Sequence, residues 1–343
     1  MPVSDFELVE AWKHVLTLSK ISAGQSITVL TSSATNKQTL RTAILAARSV
    51  GAIVNRLDLQ PVNGALSLSR DPLAYVGVTP LTGNRPAMEL LKASDLVLDL
   101  MTLLFSAEQH EILASGGRIL LAVEPPEILL RMLPTLEDRQ KVLAASKVLQ
   151  AAKTMHVTSP AGTDVQFTLG DYPILEEYGF CDQPGRWDHW PSGFLATWSN
   201  EGTAQGTIVL DKGDILLPQK SYLQDQVIFT IKNGYVTNIE GGVDATLLKA
   251  YMESFNDPEV YAVSHVGWGL QERAHWSTLG LYDREATIGM DSRARAGNFL
   301  WSTGPNNEAG GTRDTACHID IPMLNCTVLL DGTAVVKNGV LVK

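Results

Sequence analysis

The sequence predicts an α/β N-terminal domain, a mostly parallel sheet with flanking helices, followed by a β-rich α+β C-terminal domain. Three observations predict it. Residues 26–152 alternate short β-branched runs with stretches of helical spacing, the rhythm of strands joined by crossover helices. The later part of the chain carries Asn233-Gly234, Asp331-Gly332 and Asn338-Gly339 between alternating strand-like runs. Such pairs mark tight antiparallel hairpins, because both turn residues need positive φ. A chain of 343 residues also exceeds a single ordinary core, so two domains are expected. We place them at 1–154 and 155–343.

The elements follow in order. "MPVSDFELVEAWKHVLTLSK" alternates charged and apolar residues as an amphipathic helix does, and it lacks the apolar core of a secretory signal. "SITVLTS" reads as the first strand. "NKQTLRTAILAARSVG" then places apolar residues at helical spacing, with Gly51 as its C-cap. "AIVNRLDL", "LVLDLM" and "RILLAV" are further strands, the last two separated by the helical "SAEQHEILASGG". Neither G-x-G-x-x-G nor G-x-x-x-x-G-K-[ST] follows the first strand, so a dinucleotide or P-loop site there is not supported. "RQKVLAASKVLQAAKTM" reads as a linking helix. One further helix, "DATLLKAYMESF", is expected within the β-rich part.

Composition narrows the function. The chain is 45% hydrophobic and 19% charged, as suits a globular protein in water. Its net charge is −10 and it has no Lys/Arg block, so no nucleic-acid partner is expected. The longest apolar runs, such as "LVLDLMTLLF", are too short to cross a bilayer and are interrupted by Asp99, so no membrane partner is expected. Cys181, Cys317 and Cys326 give an odd count, wide spacing and no C-x-x-C, hence no disulfide framework. A reducing cytoplasm fits that usage.

The chemistry gathers near the C-terminus. In "CHIDIP", a strand would project His318 and Asp320 from one face, a half-site for a metal ion. The plain alternative is a satisfied polar pair on a sheet surface. His265 lies in the apolar run "YAVSHVGWGL", where Tyr261, Val263 and His265 would share a face. Together His265, His318 and Asp320 make a 2-His-1-carboxylate set, which holds Fe(II) on one octahedral face and leaves other positions open. Zinc with the same ligands plus water is equally reasonable, and spacing does not choose between them. His14, His110 and His156 read as structural, and His275 fits either role. "PILEEYGFCDQPGRWDHWPSG" sets Glu176, Glu177, Arg186, Asp188, His189 and Ser192 among Trp187 and Trp190, the density of an active-site loop or of a charged connection between domains. Leu104 and Phe105 follow a strand of the α/β part and are expected to line a substrate entrance.

On these residues the chain resembles the thermophilic-type (M29) metallo-aminopeptidases. "SHVGWGL", "AGNFLWSTGPNN" and "CHIDIP" look like that superfamily's C-terminal metal segments, and "WPSGFLATWSNEGTAQGTIVLD" looks like its first. Those peptidases hold two metal ions through two glutamates, two histidines and an aspartate. Here the expected first glutamate reads Phe194, the second reads His265, and the expected histidine falls at Phe299 or Leu300. Only His318 and Asp320 remain. The resemblance therefore implies one metal, Fe(II), on His265, His318 and Asp320, not a dinuclear hydrolytic site. Within the superfamily the likeness runs, over nearly the whole chain, to the iron-dependent ring-cleaving dioxygenases of hydroxypyridines.

That resemblance implies a reaction of 2,5-dihydroxypyridine with O2 to N-formylmaleamate, in nicotinic acid breakdown, by a cytoplasmic homo-oligomer acting on a small aromatic N-heterocycle. It also implies roles. Glu177 and His189 are expected to touch the ring nitrogen or 2-hydroxyl. Arg293 is the expected electrostatic clamp, with Arg295 as the alternative, and Ser302 a substrate contact. A histidine that moves protons is expected near Phe105, and phenylalanine cannot do that. A mononuclear metallo-aminopeptidase or amidohydrolase, with Glu176 or Glu177 as base, is the competing reading. A non-catalytic small-molecule binder on the same scaffold is the third.

Overall fold

The structure is a computed structural model and describes residues 3–60, 79–103, 106–217 and 219–342. Two compact units emerge. The first comprises Met1–Arg139, Glu177–Ser192 and Tyr282–Met290, and the second Gln140–Glu176, Gly193–Leu281 and Asp291–Lys343.

The first unit is built on a five-stranded sheet whose recorded pairings are all parallel. Its order is Ile53–Asp58, Ser26–Thr31, Leu96–Asp99, Ile119–Leu121 and Trp187–His189. The first four strands and the helices Asp5–Leu18, Lys37–Ser49 and Ala107–Ala114 fall where the apolar periodicity places them. Asn36 caps the second helix by accepting from the Gln38 and Thr39 amides, and Gly51 follows the helix at φ +82°. The fifth strand departs from expectation. Trp187–His189 lies within the stretch read as a loop, and it pairs Leu120 with Asp188 and Leu121 with His189. The chain returns to complete this sheet after an excursion through the other unit, so the segment 177–192 clusters with the N-terminal residues although it lies beyond residue 154. Trp12 and Trp190, both fully buried, meet edge to face with centroids 4.7 Å apart. Such a pair adds about 1 kcal/mol beyond its area burial.

The second unit holds two large sheets. The eight-stranded one runs Tyr235–Gly241, Val227–Lys232, Gln205–Leu210, Asp164–Thr168, Thr154–Thr158, Thr327–Leu330, Thr333–Lys337 and Val340–Leu341, with every recorded pairing antiparallel. All three expected hairpin turns are present. Asn233, Asp331 and Asn338 have φ of 51°, 46° and 49°, and each following glycine is also positive. The five-stranded sheet runs Ile319–Met323, Phe299–Thr303, Val263–Gly269, Phe194–Trp198 and Ile174–Glu177. Its central strands are buried at every position. A core of Phe167, Phe229, Trp268, Phe299, Trp301 and Ile321, among others, fills this unit. Gly267 is required by its neighbour, because a Cβ there would collide with the Leu195 carbonyl of the adjacent strand.

Tyr261 is not on the His265 strand as expected. It ends a short 3₁₀ turn, Pro258–Tyr261, and the strand begins at Val263 with a register shift before Val266. A bulge breaks the two-residue alternation on which a shared face depends. Among the described residues no helix is long and apolar enough to cross a membrane.

Candidate metal centre

Three adjacent strands of the five-stranded sheet build the centre. Val263–Gly269 carries His265. Ile319–Met323 carries Asp320, with His318 just before it. Phe299–Thr303 runs between them and pairs Ser302 with Asp320. Two residues distant in sequence thus converge because one strand separates them in the sheet.

The three predicted ligand atoms meet. His265 Nε2 lies 2.9 Å from Asp320 Oδ1 and 3.2 Å from His318 Nε2, and His318 Nε2 lies 3.0 Å from Asp320 Oδ1. Metal bonds of roughly 2.1 Å put donors on an octahedral face roughly 3.0 Å apart, and tetrahedral donors roughly 3.4 Å apart. The observed triangle fits the octahedral face. His265 and Asp320 are buried and His318 partly so. Trp198 and the His265 ring pack in a T-shaped pair, with centroids 5.9 Å apart and planes at 81°. These three residues could hold one metal ion through two neutral imidazoles and a carboxylate.

Charge around the centre is set by Arg293. Its Nε donates to Asp320 Oδ2 at 2.6 Å, leaving Oδ1 directed at the imidazoles. Burial alone would raise the Asp320 carboxyl, but Arg293, His318 and His265 together hold it well below the usual carboxylate range. Burial pulls the His265 imidazole below its ordinary value, against the attraction of Asp320. Both shifts favour the ligand forms, an ionised carboxylate and a neutral ring.

Ser302, expected at the substrate, is engaged by the His265 backbone. Its hydroxyl accepts from the His265 amide at 2.9 Å and donates to the His265 carbonyl at 3.3 Å. It fixes the backbone of a ligand. Asn298 was not anticipated. Fully buried, it accepts from the Gly269 amide at 2.6 Å and donates to the carbonyls of Ser292 and Arg293 at 2.6 and 2.9 Å. It therefore ties the segment bearing Arg293 to the strand bearing His265. The available signal was an asparagine beside Gly297, immediately before an apolar strand, where only a paired amide tolerates burial. Glu308 was also missed. Its Oε1 is buried without a hydrogen-bond partner among the described residues, and burial, then the nearby Asp320 charge, push its carboxyl well above the ordinary value.

Glu177 and His189 belong to the first unit, and each is 2% exposed. Ser192 donates to Glu177 Oε2 at 3.1 Å. His189 ends the fifth strand opposite Leu121, at the carboxyl edge of the parallel sheet. Asp188 beside it is structural: it takes the Arg186 guanidinium at 2.6 Å and the amides of Tyr178, Gly179 and His189. Leu104 and Phe105 lie outside the described residues. Just before them, Asp99 accepts from the Met101 and Leu103 amides and fixes the turn that leaves the third strand. His14 and His156 are engaged by Pro134 O and Asp164, as structural histidines are.

Comparison with known proteins is consistent in every direction. Residues 7–343 match the family described as 2,5-dihydroxypyridine 5,6-dioxygenase. The 2,5-dihydroxypyridine 5,6-dioxygenase of Pseudomonas putida KT2440 is 52% identical over 339 residues, covering 99% of this chain and 97% of that protein. A solved structure of 2,5-dihydroxypyridine dioxygenase from the same bacterium superposes with a TM-score of 0.97 at 52% identity, over 99% of this chain and 98% of that one. AmpT from Thermus thermophilus superposes with a TM-score of 0.61 at 12% identity, over 98% and 99% of the two chains, and so shares the fold.

Proposed function

The chain belongs to the 2,5-dihydroxypyridine 5,6-dioxygenase family, and from that premise we propose that it opens the ring of 2,5-dihydroxypyridine between C5 and C6 with O2, giving N-formylmaleamate, at an Fe(II) centre held by His265, His318 and Asp320. The observation that carries the iron assignment is the 2.9–3.2 Å triangle of ligand atoms. Bound there, iron would supply open positions for the ring's 5-oxygen and for O2, and a route for electrons between them.

The chain's own residues do the rest. Asp320 stays ionised because Arg293 neutralises its outer oxygen. His265 stays neutral through burial and keeps a lone pair for a metal. Ser302 and Asn298 fix the backbone on either side, so the ligand set is preorganised. Burial of the centre excludes bulk water, which strengthens each charge interaction inside it. Arg293 is also our choice for stabilising negative charge on the ring or product. Glu177 and His189 are proposed as polar contacts for the ring nitrogen or 2-hydroxyl, supported by their burial and by the Ser192 bond that orients Glu177. Phe105 and Leu104 are proposed at the substrate entrance.

A hydrolase on the same scaffold is not favoured, since Phe194 and Phe299 or Leu300 stand where a second metal would need ligands. A cytoplasmic location is proposed from the three free, buried cysteines, and self-association from the resemblance. Turnover under ¹⁸O2 tests the reaction. Two labelled oxygens in N-formylmaleamate are expected with iron. A product lacking label, or turnover with zinc in the absence of O2, would contradict it.

A further inference from the structure

One buried cation in the second unit has no partner among the described residues. Lys220 is 4% exposed, yet its Nζ has no hydrogen-bond partner among the described residues. Its neighbour Gln219 likewise buries Oε1 unpartnered. An ammonium taken from water without a partner costs several kcal/mol, so a fold that retains one normally reserves it for an anion.

The location gives that anion a context. Ile215–Leu216 and Ser221–Tyr222 form a two-stranded hairpin, with Lys220 in its turn at φ +46°. The Lys220 amide donates to the Leu217 carbonyl at 3.0 Å, and the Leu217 amide reaches the Asp320 carbonyl at 3.4 Å. The hairpin thus stands at the free edge of the Ile319–Met323 strand, beside a ligand of the candidate metal centre. A lysine side chain spans roughly 6 Å and carries a compact point charge that accepts many oxyanion geometries.

We propose that Lys220 is a carboxylate-binding residue at the edge of the metal centre, and that its occupant is the carboxylate created by ring opening. This rests on the dioxygenase reading above. In that reaction an uncharged ring gains both atoms of O2. The C5–C6 bond breaks, C6 becomes the formyl carbon, C5 becomes the carboxyl carbon, and the carboxyl proton is released. One negative charge therefore arises on the carboxyl group formed at C5, whose oxygen a metal bound at the centre would hold. Arg293 donates its Nε to Asp320 Oδ2, so Lys220 would act beside it as a second cation for the product carboxylate. Among the described residues no acid pairs with the buried Lys220 ammonium, and its sequence neighbour Gln219 buries an acceptor that could take an amide N–H of the opened chain.

The test is calorimetric titration of the metal-loaded, anaerobic protein with maleamate, which has the product's carboxylate but lacks its formyl group, and with the neutral diamide maleamide. Lys220→Met should weaken maleamate by about tenfold or more and leave maleamide within about twofold, while Lys220→Arg should hold maleamate within about threefold of the parent. Lys220→Gln repeats the comparison if the methionine variant does not fold. Equal maleamate affinity with and without the lysine overturns the proposal, as does an equal loss for both ligands or no binding of maleamate to the parent protein. Oxygen uptake with 2,5-dihydroxypyridine, measured on the same samples, separates the two readings. Uptake with maleamate binding indifferent to Lys220 removes only the lysine assignment. Maleamate binding that depends on Lys220, in a protein that consumes no oxygen, removes the dioxygenase reading instead.

Discussion

Arg293 and Asp320 divide one carboxylate between two tasks. The guanidinium Nε takes Oδ2 at 2.6 Å, and Oδ1 is left 2.9 and 3.0 Å from the His265 and His318 Nε2 atoms. The arrangement sets both the charge of the ligand and the direction it faces.

Removing the guanidinium should therefore be felt first as lost metal. Arg293→Gln leaves a buried carboxylate without its cation, an arrangement that typically costs about 3–5 kcal/mol where a buried pair is broken. Iron affinity, read by competition with a chromogenic chelator, should fall roughly 10–100-fold. Arg293→Lys restores charge without the planar donor and should recover part of the loss. Unchanged affinity in the glutamine variant would mean that Asp320 is oriented by something else.

Asn298 should behave as a positioning residue. Asn298→Ala strands the Gly269 amide and two carbonyls in the interior, and about 1–3 kcal/mol per unsatisfied group is the usual cost. We expect a melting temperature lower by several degrees and a reduced kcat, with iron stoichiometry kept by the intact triad. Asn298→Asp should retain the bond from Gly269 alone and fall between. If the alanine variant lost iron and kept its melting temperature, Asn298 would belong to the metal's own ligand shell.

Asp214 supplies a pH dependence. It is 4% exposed, and burial pushes its carboxyl up to about 7, despite bonds from the Leu324 and Asp211 amides. The folded state then holds this proton more tightly than the unfolded chain, whose aspartate has an ordinary value near 3.8. Its contribution to stability is whole below about pH 4 and is lost as pH rises towards 7, at up to about 1.4 kcal/mol per pH unit. Asp214→Asn cannot titrate. Its melting temperature should decline less between pH 5 and 7.5 than the parent's, and parallel curves would refute the assignment.

Much of this was legible locally. The hairpins at Asn233, Asp331 and Asn338 were readable because positive φ is a property of the turn residues themselves. His318 and Asp320 were readable as a pair because two residues in sequence suffice to define them. His265 was readable as a candidate from its apolar run, but spacing does not show that it meets His318 and Asp320, because that is set by the sheet order. The fifth parallel strand was not legible: Trp187–His189 is three residues long and finds its place only against Ile119–Leu121, about seventy residues earlier. Ser302 was read as a substrate contact, and its pairing with the His265 peptide across the sheet was not legible from sequence. Asn298 acts through three backbone groups on two segments, which no local pattern specifies.

The central claim is that His265, His318 and Asp320 hold the iron that opens the ring. Its most direct test is oxygen uptake with 2,5-dihydroxypyridine by anaerobically iron-loaded protein, beside His318→Ala. The account predicts one iron per chain and uptake equal to substrate loss in the parent, with both lost in the variant. An unchanged rate in His318→Ala, or a parent chain that turns over without iron, would contradict it.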